Sequence, residues 1–178
     1  MSRDCADDLD VELRLLDPRL PGWGFPRWGS AQAAGLDLHA CLDAPLILAP
    51  QGPPALIPAG FALAIRDARW CGLVFPRSGL GHREGLVLGN GTGVIDADYE
   101  GALMISAWNR NPAPSPAPSP AGPDATGIRI EPGDRIAQLV FTRVTRPTLS
   151  VRDGPGEPEP PGGAGRRGSD GFGSTGRR

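Results

Sequence analysis

Glycine and proline constrain this chain more than any other feature: there are 26 glycines and 21 prolines in 178 residues. Proline has no amide hydrogen and clashes with the preceding helical turn, and glycine costs entropy inside a helix. A helical bundle is disfavoured, and short strands joined by many turns are expected. The two residue types are unevenly spread. Residues 111–127 (NPAPSPAPSPAGPDATG) hold 8 of them in 17 positions, and residues 153–178 hold 13 in 26. The chain therefore reads as one body over 1–152, a Pro-rich insert at 111–127 within it, and a flexible Gly/Pro-rich arm over 153–178.

Within the body, alternating or short apolar runs bounded by Pro, Gly or Asp place strands at 11–15, 36–42, 46–49, 61–66, 70–75, 85–88, 102–108, 128–131 and 135–144. No apolar stripe of helical period lasts three turns. A short stretch at 78–83 is the one helical candidate. The pattern is that of an all-β barrel or jelly roll. The insert alternates Ala or Ser with Pro, which favours polyproline II. It is either a solvated loop or a ligand for the aromatic groove of an unknown partner. The arm lacks the apolar surface to fold alone, yet Phe172 among its glycines is unusual for a spacer.

Charge and cysteine content exclude several classes of function. All 18 basic residues are arginine, against 20 acids. No basic excess exists to coat a nucleic acid. No apolar run approaches the ~18 residues of a membrane span. The first ten residues, MSRDCADDLD, have no apolar core of a secretory signal. A soluble, cytoplasmic protein is expected. Cys5, Cys41 and Cys71 contain no C-x-x-C, and His39 and His82 stand far apart. That set builds neither a disulfide framework nor a zinc site, and reads as small buried or idle thiols.

Four segments carry candidate chemistry. In GNGTGVIDADYEG (89–101), Gly89, Gly91 and Gly93 permit positive φ and close approach of a ligand. Asn90, Asp96, Asp98 and Tyr99, the single tyrosine, suit a planar polar ring; the same residues also make an ordinary turn. In PRSGLG (76–81), Arg77 and Ser78 at the start of a helical turn suit a phosphate, or are a surface arginine beside an N-capping serine. In GDRIAQLVF (133–141), Gln138 interrupts an apolar strand and faces a polar ligand or pairs with backbone. RRGSDGFGSTG (166–176) offers amides and hydroxyls to an anion, or is a plain tail.

With AGLDLHA (34–40), these segments follow the order of the five motifs of trimeric deoxyuridine triphosphatases. LDPRLP and MISAWNR also resemble bacterial members. The resemblance covers nearly the whole chain apart from the insert and part of the linker before the last motif. It implies a distorted jelly roll of β-clip type with a flexible C-terminal arm. It further implies a homotrimer with interfacial sites, and Mg2+-dependent hydrolysis of dUTP to dUMP and pyrophosphate. That reaction limits uracil entry into DNA and supplies dUMP for thymidylate synthesis.

The same resemblance assigns roles. Asp96 would be the general base that orients water for in-line attack on the α-phosphorus. Asp37 would hold Mg2+ through water. Arg77, Ser78 and the Gly79 amide would grip phosphates, with Gln138 nearby. Asn90 and the backbone of Gly93, Val94 and Ile95 would read uracil. Tyr99 would lie against the deoxyribose and exclude a 2′-hydroxyl, and Met104 would close the base pocket or pack in the core. From the arm, Phe172 would stack on uracil, and Arg167 and Ser174 would reach phosphates, with Gly173 in the same binding set. Asp170 stands where the fifth motif usually has Gly, and the insert replaces a short connection. The alternatives are a dCTP deaminase-like or bifunctional enzyme, opposed by the Asn90–Asp96–Tyr99 pattern, and a non-catalytic nucleotide-sensing regulator, opposed by the intact acid and phosphate grip.

Overall fold

A computed structural model describes residues 9–113 and 127–151. The chain divides into two units, residues 1–145 and 146–178. The described part of the second, 146–151, is exposed and without regular structure.

The first unit is almost wholly β. Its strands are β1 (Glu12–Leu15), β2 (Leu36–His39), β3 (Leu46–Leu48), β4 (Ala55–Ala64), β5 (Trp70–Pro76), β6 (Leu86–Leu88), β7 (Gly93–Ile95), β8 (Ala102–Asn109), β9 (Ile128–Ile130) and β10 (Arg135–Arg143). One helix, α1 (Ser78–Arg83), and a 3₁₀ turn (Leu20–Trp23) complete it. Two four-stranded sheets, β1-β4-β8-β6 and β2-β10-β5-β7, are joined by the β3–β9 ribbon. Every strand pair is antiparallel, and the fold is the expected jelly-roll type.

Strand periodicity builds the core. Along β8, Leu103, Ile105, Ala107 and Asn109 are buried while alternate residues face outward. Leu103, Ile105 and Ala107 join Ile57, Phe61 and Leu63 of β4, and Leu38 and Leu139 of the other sheet, in one cluster. Each such large side chain contributes about 1.5–3 kcal/mol by leaving water. Two expectations needed revision. The strand at 61–66 begins at Ala55, because Ala55–Pro58 pairs with β8 despite its proline. Gly93–Ile95, where no strand was expected, is a strand that pairs with β5.

A bulge in β4 secures the N-terminal segment. Register shifts between Pro58 and Ala62, and Gly60 sits there at φ 80°. Its carbonyl accepts N–H bonds from Leu16 and Asp17. A Cβ at Gly60 would collide with Cys41 Sγ, so only glycine fits. Arg19 grips the Asp17 carboxylate, with Nη2 to Oδ2 at 2.6 Å. That hydrogen bond holds the Asp17 carboxyl down at about 2. Burial, with the Asp17 charge nearby, pushes the Cys41 thiol up to about 12. Cys41 and Cys71 are free and buried, as expected of inert thiols; Cys5 lies outside the described residues. His39 is buried too, with Nδ1 2.8 Å from the Gly133 carbonyl. Among the described residues no helix is long and apolar enough to cross a membrane.

Candidate active site

The pairing of β2 with β10 sets Gln138 opposite Asp37. The end of β5 brings Arg77, Ser78 and Gly79 alongside. Together with Gly35, Arg83 and Arg135 they line a cleft of about 660 Å³. Three of the five motif segments thus meet in one place.

Asp37 anchors the cleft. Its Oδ2 accepts from Arg135 Nη1 at 2.9 Å, and its Oδ1 lies 3.3 Å from Arg77 Nε. Arg77 Nη1 also donates to the Arg135 carbonyl at 3.0 Å. Arg77 keeps some exposure at the surface, yet its guanidinium is braced from two sides. The N-capping reading of Ser78 is wrong. Arg77 occupies the N-cap, no side chain caps the turn, and Ser78 is the first helical residue, exposed to the cleft.

Gln138 is half-buried rather than buried. Its Nε2 donates to the Pro76 carbonyl at 3.1 Å, so it pairs with backbone while lining the cleft. Gly35 makes room for it, since a Cβ there would stand 2.5 Å from Gln138 Oε1.

The Asn90–Tyr99 segment lies elsewhere. β7 is the edge of its sheet, so the backbone groups of Gly93, Val94 and Ile95 that do not face β5 are open to a partner. Asn90 and Asp96 are exposed at either end of this strand. The Tyr99 N–H donates to the Asp96 carbonyl at 3.1 Å, closing a turn. Tyr99 Oη donates to the Ala102 carbonyl at 2.9 Å, which orients the exposed ring. Met104 faces outward at 40% exposure, so the core-packing alternative fails for it.

One strand separates the two halves. Ile95 pairs with Gly72, and Asp96 follows Ile95. Ser78 lies six residues beyond Gly72, about 20 Å along the chain at the ~3.3 Å rise of a strand. Within one chain Asp96 and the Arg77–Ser78 grip are not brought together.

No group of three or more His, Cys, Asp or Glu side chains among the described residues is placed to hold a metal ion. Asp37 spends one contact from each oxygen on a guanidinium. The remaining lone pairs suit the water shell of a hydrated cation better than direct ligation. Arg167, Phe172, Gly173 and Ser174 lie outside the described residues. So do Asp170 and insert positions 114–126. Sequence reasoning missed Arg135 and Arg83. The only signal for Arg135 was a charged residue opening a strand whose partner carries Asp37.

Comparison with known proteins places this architecture. A dUTPase family model matches residues 23–115. A deoxyuridine 5'-triphosphate nucleotidohydrolase of Xanthomonas oryzae pv. oryzae is 47% identical over 169 residues, 94% of this chain and 96% of the relative. The dUTPase of Staphylococcus bacteriophage 80alpha, solved with dUpNHpp, superposes with a TM-score of 0.70 at 26% identity, covering 94% of this chain and 98% of that one. A dUTPase variant from phage phi11 of S. aureus, solved to show coordination of a structural Mg(II) ion, gives 0.64 at 28% identity over 82% and 97%.

Proposed function

This chain belongs to the dUTPase family and is a dUTP nucleotidohydrolase, and we propose how its residues divide the work. The observation that carries the reading is the cleft in which Asp37, Arg77, Ser78, Arg135 and Gln138 converge. It is a polyanion receptor. The guanidiniums supply charge, and Ser78 and the first amides of α1 supply donors, while Leu80 and Val140 form the apolar part of the wall.

Base reading falls to β7. The free edge of the strand offers backbone donors and acceptors in fixed alternation, which is what the pairing edge of uracil requires. Asn90 supplies a side-chain amide beside it. Cytosine reverses the pattern at position 4 and leaves those groups unpaired, a mismatch that a polar site rejects strongly. Tyr99, fixed by its two hydrogen bonds, lies against the sugar and leaves no room for a 2′-hydroxyl.

Asp96 aims a water at the α-phosphorus. A carboxylate is too weak a base to strip water of a proton beforehand, so proton transfer accompanies attack. Acceleration then comes chiefly from positioning and from charge neutralisation in the cleft. The α-phosphorus must touch both the water of Asp96 and the phosphate grip, yet β5 holds these apart within one chain. The site is therefore completed between copies. A closed ring of heterologous contacts delivers the β7 edge of one copy to the cleft of the next, and a homotrimer is the assembly we assign. By the motif resemblance, Arg167, Phe172, Gly173 and Ser174 are assigned further contacts to the nucleotide.

Asp37, whose oxygens each keep a lone pair free of the guanidiniums, would hold a magnesium ion through its water shell, and the ion would supply positive charge to offset that of the triphosphate. The testing assay is magnesium-dependent pyrophosphate release from dUTP, dTTP, dCTP and UTP, run in ¹⁸O-water. Turnover confined to dUTP, with the label in dUMP, supports the reading. Label in pyrophosphate, or ammonia release from dCTP, overturns it.

A further inference from the structure

The phosphate cleft is lined by three arginines and one aspartate, in a chain whose overall formal charge is −2. Two of the arginines, Arg77 and Arg135, are committed to Asp37. The third is not. Arg83 lies in the last turn of α1, and among the described residues its guanidinium makes no ion pair or hydrogen bond.

Helical side chains lean toward the N-terminus of their helix, and Arg83 does so. Its guanidinium lies against Gly79, such that a Cβ built there would stand 3.1 Å from Nη2 and 3.3 Å from Nη1. The absence of a side chain at Gly79 is what lets the charge reach the first turn of the helix. With its charge carried back to the first turn, Arg83 forgoes the favourable contact that a last-turn cation makes with the helix dipole, and the anion-binding cleft it lines is what faces the guanidinium instead.

We propose that Arg83 is a further substrate-binding residue, whose guanidinium receives the part of the phosphate chain that leaves as pyrophosphate. The inference rests on the phosphate assignment made for this cleft under the proposed function. With Asp37 offsetting one of its two partners, the cleft carries a net charge of one from Arg77 and Arg135, and Arg83 doubles it. Arg77 and Arg135 already spend donors on Asp37 and on backbone. Arg83 has its full fork to give, and a planar guanidinium meets two phosphate oxygens at once. The terminal phosphates are charged before the reaction as well as during it, so Arg83 binds ground state and transition state about equally, and its loss raises KM while changing kcat little.

The test compares wild type, Arg83→Gln and Arg83→Lys, each as full chain. The readouts are KM and kcat for dUTP, and affinity for dUpNHpp and for dUMP at two salt concentrations. Expected for Arg83→Gln are a KM and a dUpNHpp Kd raised about tenfold, a kcat within about twofold, an unchanged dUMP affinity, and a shallower salt dependence. Arg83→Lys, which keeps the charge but not the fork, should restore only part of the loss. Unchanged dUpNHpp affinity in Arg83→Gln overturns the proposal, as does equal weakening of dUMP and dUpNHpp. A wild-type protein that binds dUpNHpp no better than dUMP would instead unseat the phosphate assignment of the cleft itself.

Discussion

Arg135 Nη1 and Asp37 Oδ2 meet at 2.9 Å although 98 positions separate them in the chain. The β2–β10 register makes the meeting possible, and Arg77 completes it from the end of β5. Two of the cleft's cations are thus prepositioned by one carboxylate. Asp37→Asn should leave both guanidiniums short of a partner. We expect a loss of about 1–3 kcal/mol in stability, since the arginines retain some solvent. The dUTP KM should rise, and the magnesium concentration for half-maximal rate should rise with it. Thermal melts and magnesium titrations check the two effects separately.

Gly35 and Gln138 give a second prediction. Gly35→Ala puts a methyl group where Gln138 Oε1 now lies, and the end of a flexible side chain is what must move. The fold should survive with little change in Tm. Gln138 should leave the Pro76 carbonyl and the cleft wall, and kcat/KM for dUTP should fall about tenfold. Parallel calorimetry and kinetics separate this from a folding defect.

Stability should depend on pH through the N-terminal clip. The Asp17 carboxyl is held at about 2, below its ordinary 3.8. Its contribution is therefore complete above pH 3.8 and is lost as pH falls through about 2. The Cys41 thiol is pushed from 9.0 to about 12. Its contribution is complete below pH 9.0 and declines as pH rises toward about 12, because the unfolded thiol releases its proton first. Urea unfolding across pH 9–11 should show falling stability in the wild type and a flatter profile in Cys41→Ala.

Much of this architecture was legible in the sequence. The proline and glycine punctuation excluded helices except at Ser78–Arg83, which is where α1 lies. Alternation revealed β8 and most of the inward-facing core. What escaped reading depends on tertiary pairing. Gly93–Ile95 holds too few apolar residues to announce a strand and becomes one only by lying on β5. Ala55–Pro58 hides behind its proline, yet it pairs with β8. Asp37 and Gln138 were legible as motif residues. The ion pairs that organise the cleft were not, because Arg135 acquires its role from a strand partner almost a hundred residues away. The individual roles of residues after 151 entered through motif resemblance, beside a composition that marked them only as a Gly/Pro-rich arm.

The separation of Asp96 from Ser78 along β5 makes completion of the site between copies the central claim. Asp96→Asn should abolish turnover while keeping dUpNHpp affinity, because it retains the shape of β7 and the phosphate grip. Ser78→Ala combined with Arg77→Ala should disable the grip while keeping Asp96. The decisive measurement is dUTP turnover after the two inactive proteins are unfolded together and refolded as a mixture. If each site draws Asp96 and the grip from different copies, random assembly restores roughly a quarter of wild-type activity per site. A mixture as inactive as its two components would contradict the account.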